Sequence, residues 1–499
     1  MAGTAATLVV ILTLVLTGRA HAAETFVFPE TRAGEIAEDY FGAFNSGSIE
    51  RLRQHHESYR SEASLADRSP EERAKRTLGL YEHMGRLTPA LVAHESESSI
   101  TITAYAEKLD TWVACGFQLE AEEPHKLAFV MIQPTSPPEM AADSEKKWTS
   151  LEELLQQIRA DTGIPAITAA VIEDGRIVET VADGIRRAGS GDSVRIDDRF
   201  HIGSITKSVT ATMIGRLIEK GLLDWGTTVA EALGNIDMRT EYLEVTLEQL
   251  LQHRGGIPGY LTFDDSTGAR LTSLPGTPTD QRRAFVAEVL QSEPVAQAGE
   301  EVNYSNAGYV IAGLMAEHAC GIGWEELVRE HVLEPAGMTS TGFGWPAAED
   351  RPDQPRGHYY EETAFRPQEI EEYTLGDFLA PAGDIHASIG DLALYAKMHL
   401  DGLAGNDGVV KAETIRRLHT PPEAPNDGLI YAGGWMIVEK EGLGTVHTHS
   451  GSAGTFYATI QLYPDENRAI VVAANAGAAT GAVERIIRSI NERSGASDR

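Results

Sequence analysis

The chain has 499 residues, 74 of them acidic and 42 basic, for a formal net charge of −32. With 42% hydrophobic residues it can bury a large core, and its length suits two or three domains. The acidic balance argues against nucleic acid and anionic membranes as partners, since both repel such a surface. Most of that charge reads as solvated exterior.

The first segment is read as a leader. Leu8 to Leu16 is apolar apart from Thr13, and Ala20-His21-Ala22 follows as a small-x-small cleavage signal. The run is shorter than the ~20 apolar residues a membrane span needs. No positive side chain precedes it, and no cysteine near the cleavage point offers a lipid anchor. The expectation is a signal peptide over 1–22 and a mature protein exported to the periplasm or the medium.

An accessory domain is predicted over 24–133. Helical patterns cover Gly34 to Asn45, Ser48 to His56 and Glu71 to Arg86. Strand patterns follow at Ala90 to Glu95, Ser99 to Ala106, Thr111 to Glu120 and Lys126 to Gln133. Helices followed by antiparallel strands give an α+β order. With Tyr40-Phe41-Gly42-Ala43-Phe44-Asn45-Ser46-Gly47, this order resembles the cone-shaped fold of nuclear-transport-factor-like domains. No acid, base or metal-binding cluster stands out there, so it reads as scaffold. Proline density at Pro134, Pro137 and Pro138 and the polar run to Lys147 mark a linker over 134–147. There is no internal repeat.

The remaining segment, 148–499, opens with a helix from Leu151 to Arg159. A hairpin of Ala166 to Ile172 and Arg176 to Ala182 turns at Asp174-Gly175. Four strands lie near the far end, at Trp435 to Glu439, Val446 to Ser450, Tyr457 to Tyr463 and Ala469 to Ala474. A helix from about Ala482 to Ile490 closes the segment. Between the two strand blocks the pattern is mostly helix and loop. The economical arrangement is one antiparallel sheet built from both ends, with a helical insert and a cleft between them. Cys115 falls on an apolar strand face and Cys320 at a helix end before Gly321, so both read as buried thiols rather than a disulfide.

Three short patterns carry the chemistry. Ser204-Ile205-Thr206-Lys207 opens a helix whose Ile205, Val209, Met213 and Leu217 recur every fourth position, stopped at Gly221. The spacing puts Ser204 and Lys207 on one face. A buried lysine loses affinity for its proton and can take one from the serine, while the helix N-terminus favours developing negative charge. Alone this proves little, since Ser144-Glu145-Lys146-Lys147 has the same spacing in the linker. Tyr304-Ser305-Asn306 is the only Tyr-x-Asn in the chain, and it precedes a helical run. A tyrosine can relay a proton and an amide can orient lysine or substrate, or Ser305 and Asn306 simply cap the helix. His449-Ser450-Gly451 is read as the end of a strand; Gly451 allows close backbone approach, and the N–H of Ser452 pairs with that of Ser204 as an oxyanion hole. His-x-Gly also occurs at His201 and His253.

In this order the three patterns resemble the signature of penicillin-recognising serine hydrolases. The stretches Phe200 to Ser208, Leu250 to Pro258, Tyr304 to Tyr309, Glu334 to Thr339 and Pro381 to Ile385 resemble that family as well. The resemblance covers about two thirds of the chain. It implies an α/β (α+β) fold with a β-lactamase/transpeptidase-like antiparallel sheet and a helical insert. It also implies acylation of Ser204, proton transfers shared by Lys207 and Tyr304, and substrate contacts from Asn306, His449 and Gly451. Ser204 and Ser452 would supply the oxyanion N–H groups. No metal or organic cofactor is implied. Where β-lactamases resemble a lysine-threonine-glycine motif, this chain has histidine, a weaker carboxylate anchor. That favours an esterase or D-amino-acid peptidase on a small ester, amide or D-peptide over a β-lactamase. Two rivals are weighed. A metallohydrolase would use His447 and His449 on one strand face, but no further ligand pattern accompanies them. A catalytically silent ligand-binding relative would have no use for a buried lysine beside a serine.

Overall fold

The computed structural model describes residues 26–493, apart from 61–64, 66–68, 97–98, 109–110, 121–123, 135–147, 261–264, 362–363, 374, 423–429 and 441. The leader and nearly all of the linker, including Ser144, lie outside the described residues.

Helices α1 (Arg32–Asn45), α2 (Ile49–Tyr59) and α3 (Pro70–Met84) start at Thr31, Ser48 and Ser69, whose side chains each accept a hydrogen bond from a first-turn N–H. Strands β1 (Leu87–Glu95), β2 (Ser99–Ala106), β3 (Thr111–Leu119) and β4 (Leu127–Pro134) form an antiparallel sheet in sequence order. Ile36, Tyr40, Phe41 and Phe44 of α1 pack on Ile100, Ile102, Cys115 and Phe117. Cys115 is buried and unpaired as a thiol, and burial pushes its pKa up to about 12.

The second sheet joins the two ends of the segment after the linker. Its order is β12 (Met436–Lys440), β13 (Gly444–Ser452), β14 (Tyr457–Tyr463), β15 (Arg468–Ala474), β5 (Ala166–Glu173), β6 (Arg176–Gly184), and every pairing is antiparallel. Helix α4 (Leu151–Thr162) precedes β5 (Ala166–Glu173) and β6 (Arg176–Gly184), which turn through Asp174 and Gly175 with φ of 48° and 68°. These left-handed values make the tight turn that asparagine, aspartate and glycine favour.

The insert between the blocks is mainly helical, with short strands the sequence pattern did not reveal: β7 (Arg199–His201), β8 (Gly342–Phe343), β9 (His358–Glu361), β10 (Ala364–Pro367) and β11 (Ile385–Ser388). At two to four residues each, they are too short for alternation to show. Within the insert, α5 (Thr206–Glu219) lies against α6 (Asn306–Cys320), and α7 (Ile389–Leu403) packs on β5, β6, β14 and β15 of the sheet. The chain returns through β12 (Met436–Lys440), β13 (Gly444–Ser452), β14 (Tyr457–Tyr463) and β15 (Arg468–Ala474), then closes with α8 (Thr480–Arg493).

The sheet is apolar on both faces, as its sandwiched position requires. Ile470, Val472 and Ala474 point to Leu154, Ile158, Ile486 and Ile490 of α4 and α8. Ala469, Val471 and Ala473 point the other way, into the core formed with the insert, where Ile205, Val209, Met213 and Leu217 also lie. Helix α5, which follows Ser204, is therefore central to the larger core.

Candidate active site

Ser204 sits in a 3-10 turn (Gly203–Ile205) that runs directly into α5. Its neighbour Gly203 has φ of 49°, and a Cβ there would strike the backbone of Gly451 and Ser452. The reverse also holds: a Cβ on Gly451 would fall on the Ile202 carbonyl and 2.6 Å from the Ser204 nitrogen. Two glycines thus let the Ser204 turn lie against the end of β13. This contact brings the main chains of Ser204 and Ser452 side by side, as an oxyanion hole requires. Strand β13 continues through Ser452, so His449 does not end it as expected; pairing of Ser450, Gly451 and Ser452 with Thr459, Ala458 and Tyr457 carries the ladder on.

Lys207 is fully buried. Its Nζ lies 3.0 Å from Ser204 Oγ, 2.8 Å from Asn306 Oδ1 and 2.8 Å from the carbonyl oxygen of Ala382. Asn306 Nδ2 donates to the Tyr260 carbonyl at 3.0 Å, which fixes Oδ1 toward the lysine. Both readings of the Tyr-x-Asn stretch hold together: Ser305 caps α6 by accepting from the Gly308 N–H, and this leaves the Asn306 amide free for Lys207.

Burial drives the Lys207 pKa well below its ordinary value. The faces of Tyr304 and Tyr309, 4.8 and 5.8 Å from Nζ, offset part of that effect. Desolvation of a wholly enclosed amine with no carboxylate partner is the larger influence. A neutral amine donates two protons, which suit the two pure acceptors Asn306 Oδ1 and Ala382 O. Its lone pair then faces the Ser204 hydroxyl. Burial also raises the Tyr304 pKa, opposed by a hydrogen bond with Ser204. Both shifts favour the neutral pair of amine and phenol, so the arrangement offers one base and one acid around a single hydroxyl.

The turn is braced from behind. His201 Nδ1 accepts from the Gly203 N–H at 3.1 Å, and its Nε2 faces Asp384 Oδ1 at 3.2 Å; Tyr373 reaches the same carboxylate. His253 accepts the Ser305 N–H at 3.1 Å, its carbonyl accepts the Asn303 N–H at 2.7 Å, and its ring packs 4.3 Å from that of Tyr304. These two histidines, which share the His-x-Gly pattern with His449, support the segments that carry Ser204 and Tyr304. His449 is enclosed, with Nδ1 2.8 Å from the Ser450 carbonyl and Nε2 2.9 Å from the Tyr431 hydroxyl. His447 faces His419 instead, at 2.7 Å, so the two imidazoles of this strand serve different neighbours. Sequence reasoning missed Ala382, Tyr260 and Tyr431; the first two act through main-chain oxygens, which leave no trace in residue identity.

The sequence profile of the β-lactamase family matches residues 151–492. The chain belongs to that family, the superfamily of serine-hydrolase β-lactamases and transpeptidases, whose chemistry passes through an acyl-enzyme. It is 25% identical over 352 residues to penicillin-binding protein 4 of Amycolatopsis lactamdurans, covering 68% of this chain and 88% of that one. It is 26% identical to protein flp of Staphylococcus aureus (strain COL), over 62% of this chain and 60% of that protein. Among solved structures, the octameric penicillin-binding protein homologue from Pyrococcus abyssi superimposes with a TM-score of 0.59 at 28% identity, covering 69% of this chain and 77% of that one. The family match stops short of the N-terminal domain.

Proposed function

We propose that the protein is an exported serine hydrolase that cleaves a small ester or amide through an acyl-enzyme on Ser204. The observation that carries this reading is the set of bonds at Lys207 Nζ. Two fixed acceptors, Asn306 Oδ1 and Ala382 O, orient a buried amine toward Ser204 Oγ at 3.0 Å, within reach of direct proton transfer. Ser204 Oγ attacks the carbonyl carbon and its proton passes to Lys207. The tetrahedral oxyanion is held by the N–H groups of Ser204 and Ser452. Tyr304, kept protonated by burial, gives a proton to the leaving oxygen or nitrogen and recovers one from Lys207. Water then attacks the acyl carbon, loses a proton to the same base, and releases the acid as Ser204 regains its hydrogen. Asn306 and Gly451 line the substrate position.

An esterase or D-amino-acid peptidase is favoured over a β-lactamase, because His449 replaces the cationic residue expected in the third motif. The test compares steady-state turnover of a short p-nitrophenyl ester, a D-alanyl peptide and a penicillin by wild type and Ser204→Ala. Turnover of the ester or peptide that exceeds turnover of the penicillin, and that vanishes in Ser204→Ala, supports the proposal. Rapid penicillin hydrolysis, or turnover that survives the substitution, contradicts it. Export is tested separately by the N-terminal residue of protein recovered from outside the cytoplasm, expected at position 23.

A further inference from the structure

Asp384 belongs to none of the three motifs. It is 5% exposed, and among the described residues no lysine or arginine pairs with its carboxylate. Burying such a charge is costly unless hydrogen bonds answer it. Two do: Oδ1 lies 3.2 Å from His201 Nε2, and the Tyr373 hydroxyl donates to the same oxygen. The buried His201 ring is fixed from its other side as well. Its Nδ1 lies 3.1 Å from the Gly203 nitrogen, and a backbone N–H can only donate, so Nδ1 accepts and Nε2 carries the ring's proton. A line of hydrogen bonds therefore runs from carboxylate through imidazole to the N–H of Gly203, one peptide before the N–H of Ser204. Pairing of β7 with β11, with the Ile202 N–H on the Ile385 carbonyl at 2.9 Å, sets Asp384 beside the end of β7. The same segment is bonded along α5: the Pro381 carbonyl accepts from Thr210, the Ala382 carbonyl from Lys207, and the Ile385 N–H donates to Thr206 Oγ1. One short stretch thus holds both the base and the Ser204 turn.

We propose that Asp384 is a positioning residue for the oxyanion hole: through His201 it holds the Gly203 N–H, and with it the turn that sets the Ser204 N–H beside that of Ser452. The inference rests on the serine-hydrolase reading above and deepens it. Gly203 has a left-handed φ and no side chain to hold it in place, and a Cβ there would lie 2.5 Å from the Ser452 nitrogen. At that separation a small rotation of Gly203 moves the two N–H donors apart. The imidazole supplies the restraint, and the carboxylate keeps the imidazole in the tautomer that can give it. Without that acceptor the ring can take the other tautomer, whose Nδ1–H opposes the Gly203 N–H. A reacting group misplaced by about 1 Å costs on the order of 10² in rate.

The test measures kcat and KM for p-nitrophenyl butyrate, and Ki for butylboronic acid, whose tetrahedral adduct on Ser204 places an oxygen in the oxyanion hole. Asp384→Asn keeps an oxygen that accepts from Nε2 but loses the charge, and Asp384→Ala keeps neither. The fall in kcat should be about tenfold in Asp384→Asn and about 10² in Asp384→Ala, with KM within about threefold and the boronate Ki rising in parallel. The rising limb of the pH profile should stay in place in Asp384→Asn, because Lys207 keeps the Ala382 carbonyl. Unchanged kcat in folded Asp384→Ala, or a fall in kcat with no loss of boronate affinity, overturns the proposal. If Asp384→Ala is not recovered folded, unchanged kcat in Asp384→Asn overturns it alone. Imidazole 15N NMR of histidine-labelled protein, with His201→Asn for assignment, should show the His201 ring protonated on Nε2; a ring protonated on Nδ1 also overturns it. Wild type that neither cleaves the ester nor binds the boronate sinks the hydrolase reading and this inference with it. Full turnover in both variants sinks this inference and leaves the hydrolase reading standing.

Discussion

Lys207 and His55 are both enclosed basic side chains, but their surroundings differ in kind. Lys207 has three hydrogen-bonding neighbours, one of them a serine hydroxyl, and no carboxylate among them. His55, on α2, is paired through Nδ1 with Asp39 Oδ2 of α1 at 2.8 Å, while its Nε2 and the Nδ1 of neighbouring His56 have no partner among the described residues. A carboxylate would have held Lys207 as an ammonium, which cannot accept a proton. At His55 the carboxylate does what a structural pair does: it ties two helices together. Polar burial alone therefore does not mark a site; what matters is whether the partners leave a reactive atom beside the buried group. The two regions meet where Arg76 of α3 reaches Asn303 Oδ1 at 3.1 Å and Glu301 at 3.5 Å, immediately before Tyr304.

The largest effect is expected at Lys207. Lys207→Ala should lower kcat/KM by ~10²–10⁴, the usual worth of general-base catalysis, whereas His55→Ala should leave kcat/KM within about threefold while lowering the melting temperature. A Lys207→Ala enzyme with full activity would remove the distinction. Next in size is the glycine contact. Gly451→Ala places a methyl group on the Ile202 carbonyl and should cost ~10²–10³ in kcat, the scale of a lost oxyanion donor, as read from steady-state kinetics on a soluble, folded variant.

The pH dependence sharpens the contrast further. The Lys207 pKa is lowered, so kcat/KM should climb as pH rises through a value well below the ordinary lysine range, then stay level until Tyr304 ionises at strongly alkaline pH. Stability follows the histidines. His399 and His449 are pushed from 6.5 to about 3 and His447 to about 4 by burial. Below 6.5 the unfolded chain takes up protons that the folded one refuses, so the melting temperature should fall steadily as pH drops from 6.5 toward 4. A flat profile over that window would show that these rings are charged in the fold. The smallest effect belongs to the link between regions: Arg76 is half-exposed, so Arg76→Ala should cost at most ~1 kcal/mol and change kcat/KM by less than about fivefold.

Much of this was legible in the sequence. The hairpin at Asp174-Gly175 and the four C-terminal strands follow from turn chemistry and alternation. The β5–β15 pairing, Ala474 opposite Ile167 through Ala469 opposite Ile172, joins the two ends of the segment as expected. The three motifs converge because helix spacing and family resemblance both place Ser204 beside Lys207. What was hidden is three-dimensional. The Ala382 carbonyl lies 175 residues from Lys207 and any residue type could supply it. His201 and His253 looked like repeats of a common pattern, and only packing shows them bracing Gly203 and Tyr304. Tyr431 gives no local signal because His449, which it meets, is 18 residues away on β13.

Ser204 is proposed as a nucleophile made reactive by a neutral Lys207. Its most direct test is intact-protein mass spectrometry with peptide mapping after brief exposure to a p-nitrophenyl ester and, separately, to a penicillin. An acyl adduct on Ser204 is expected in wild type, none in Ser204→Ala, and sharply slowed formation in Lys207→Ala. An adduct on another residue, or folded wild-type protein that acquires none from either reagent, would contradict it.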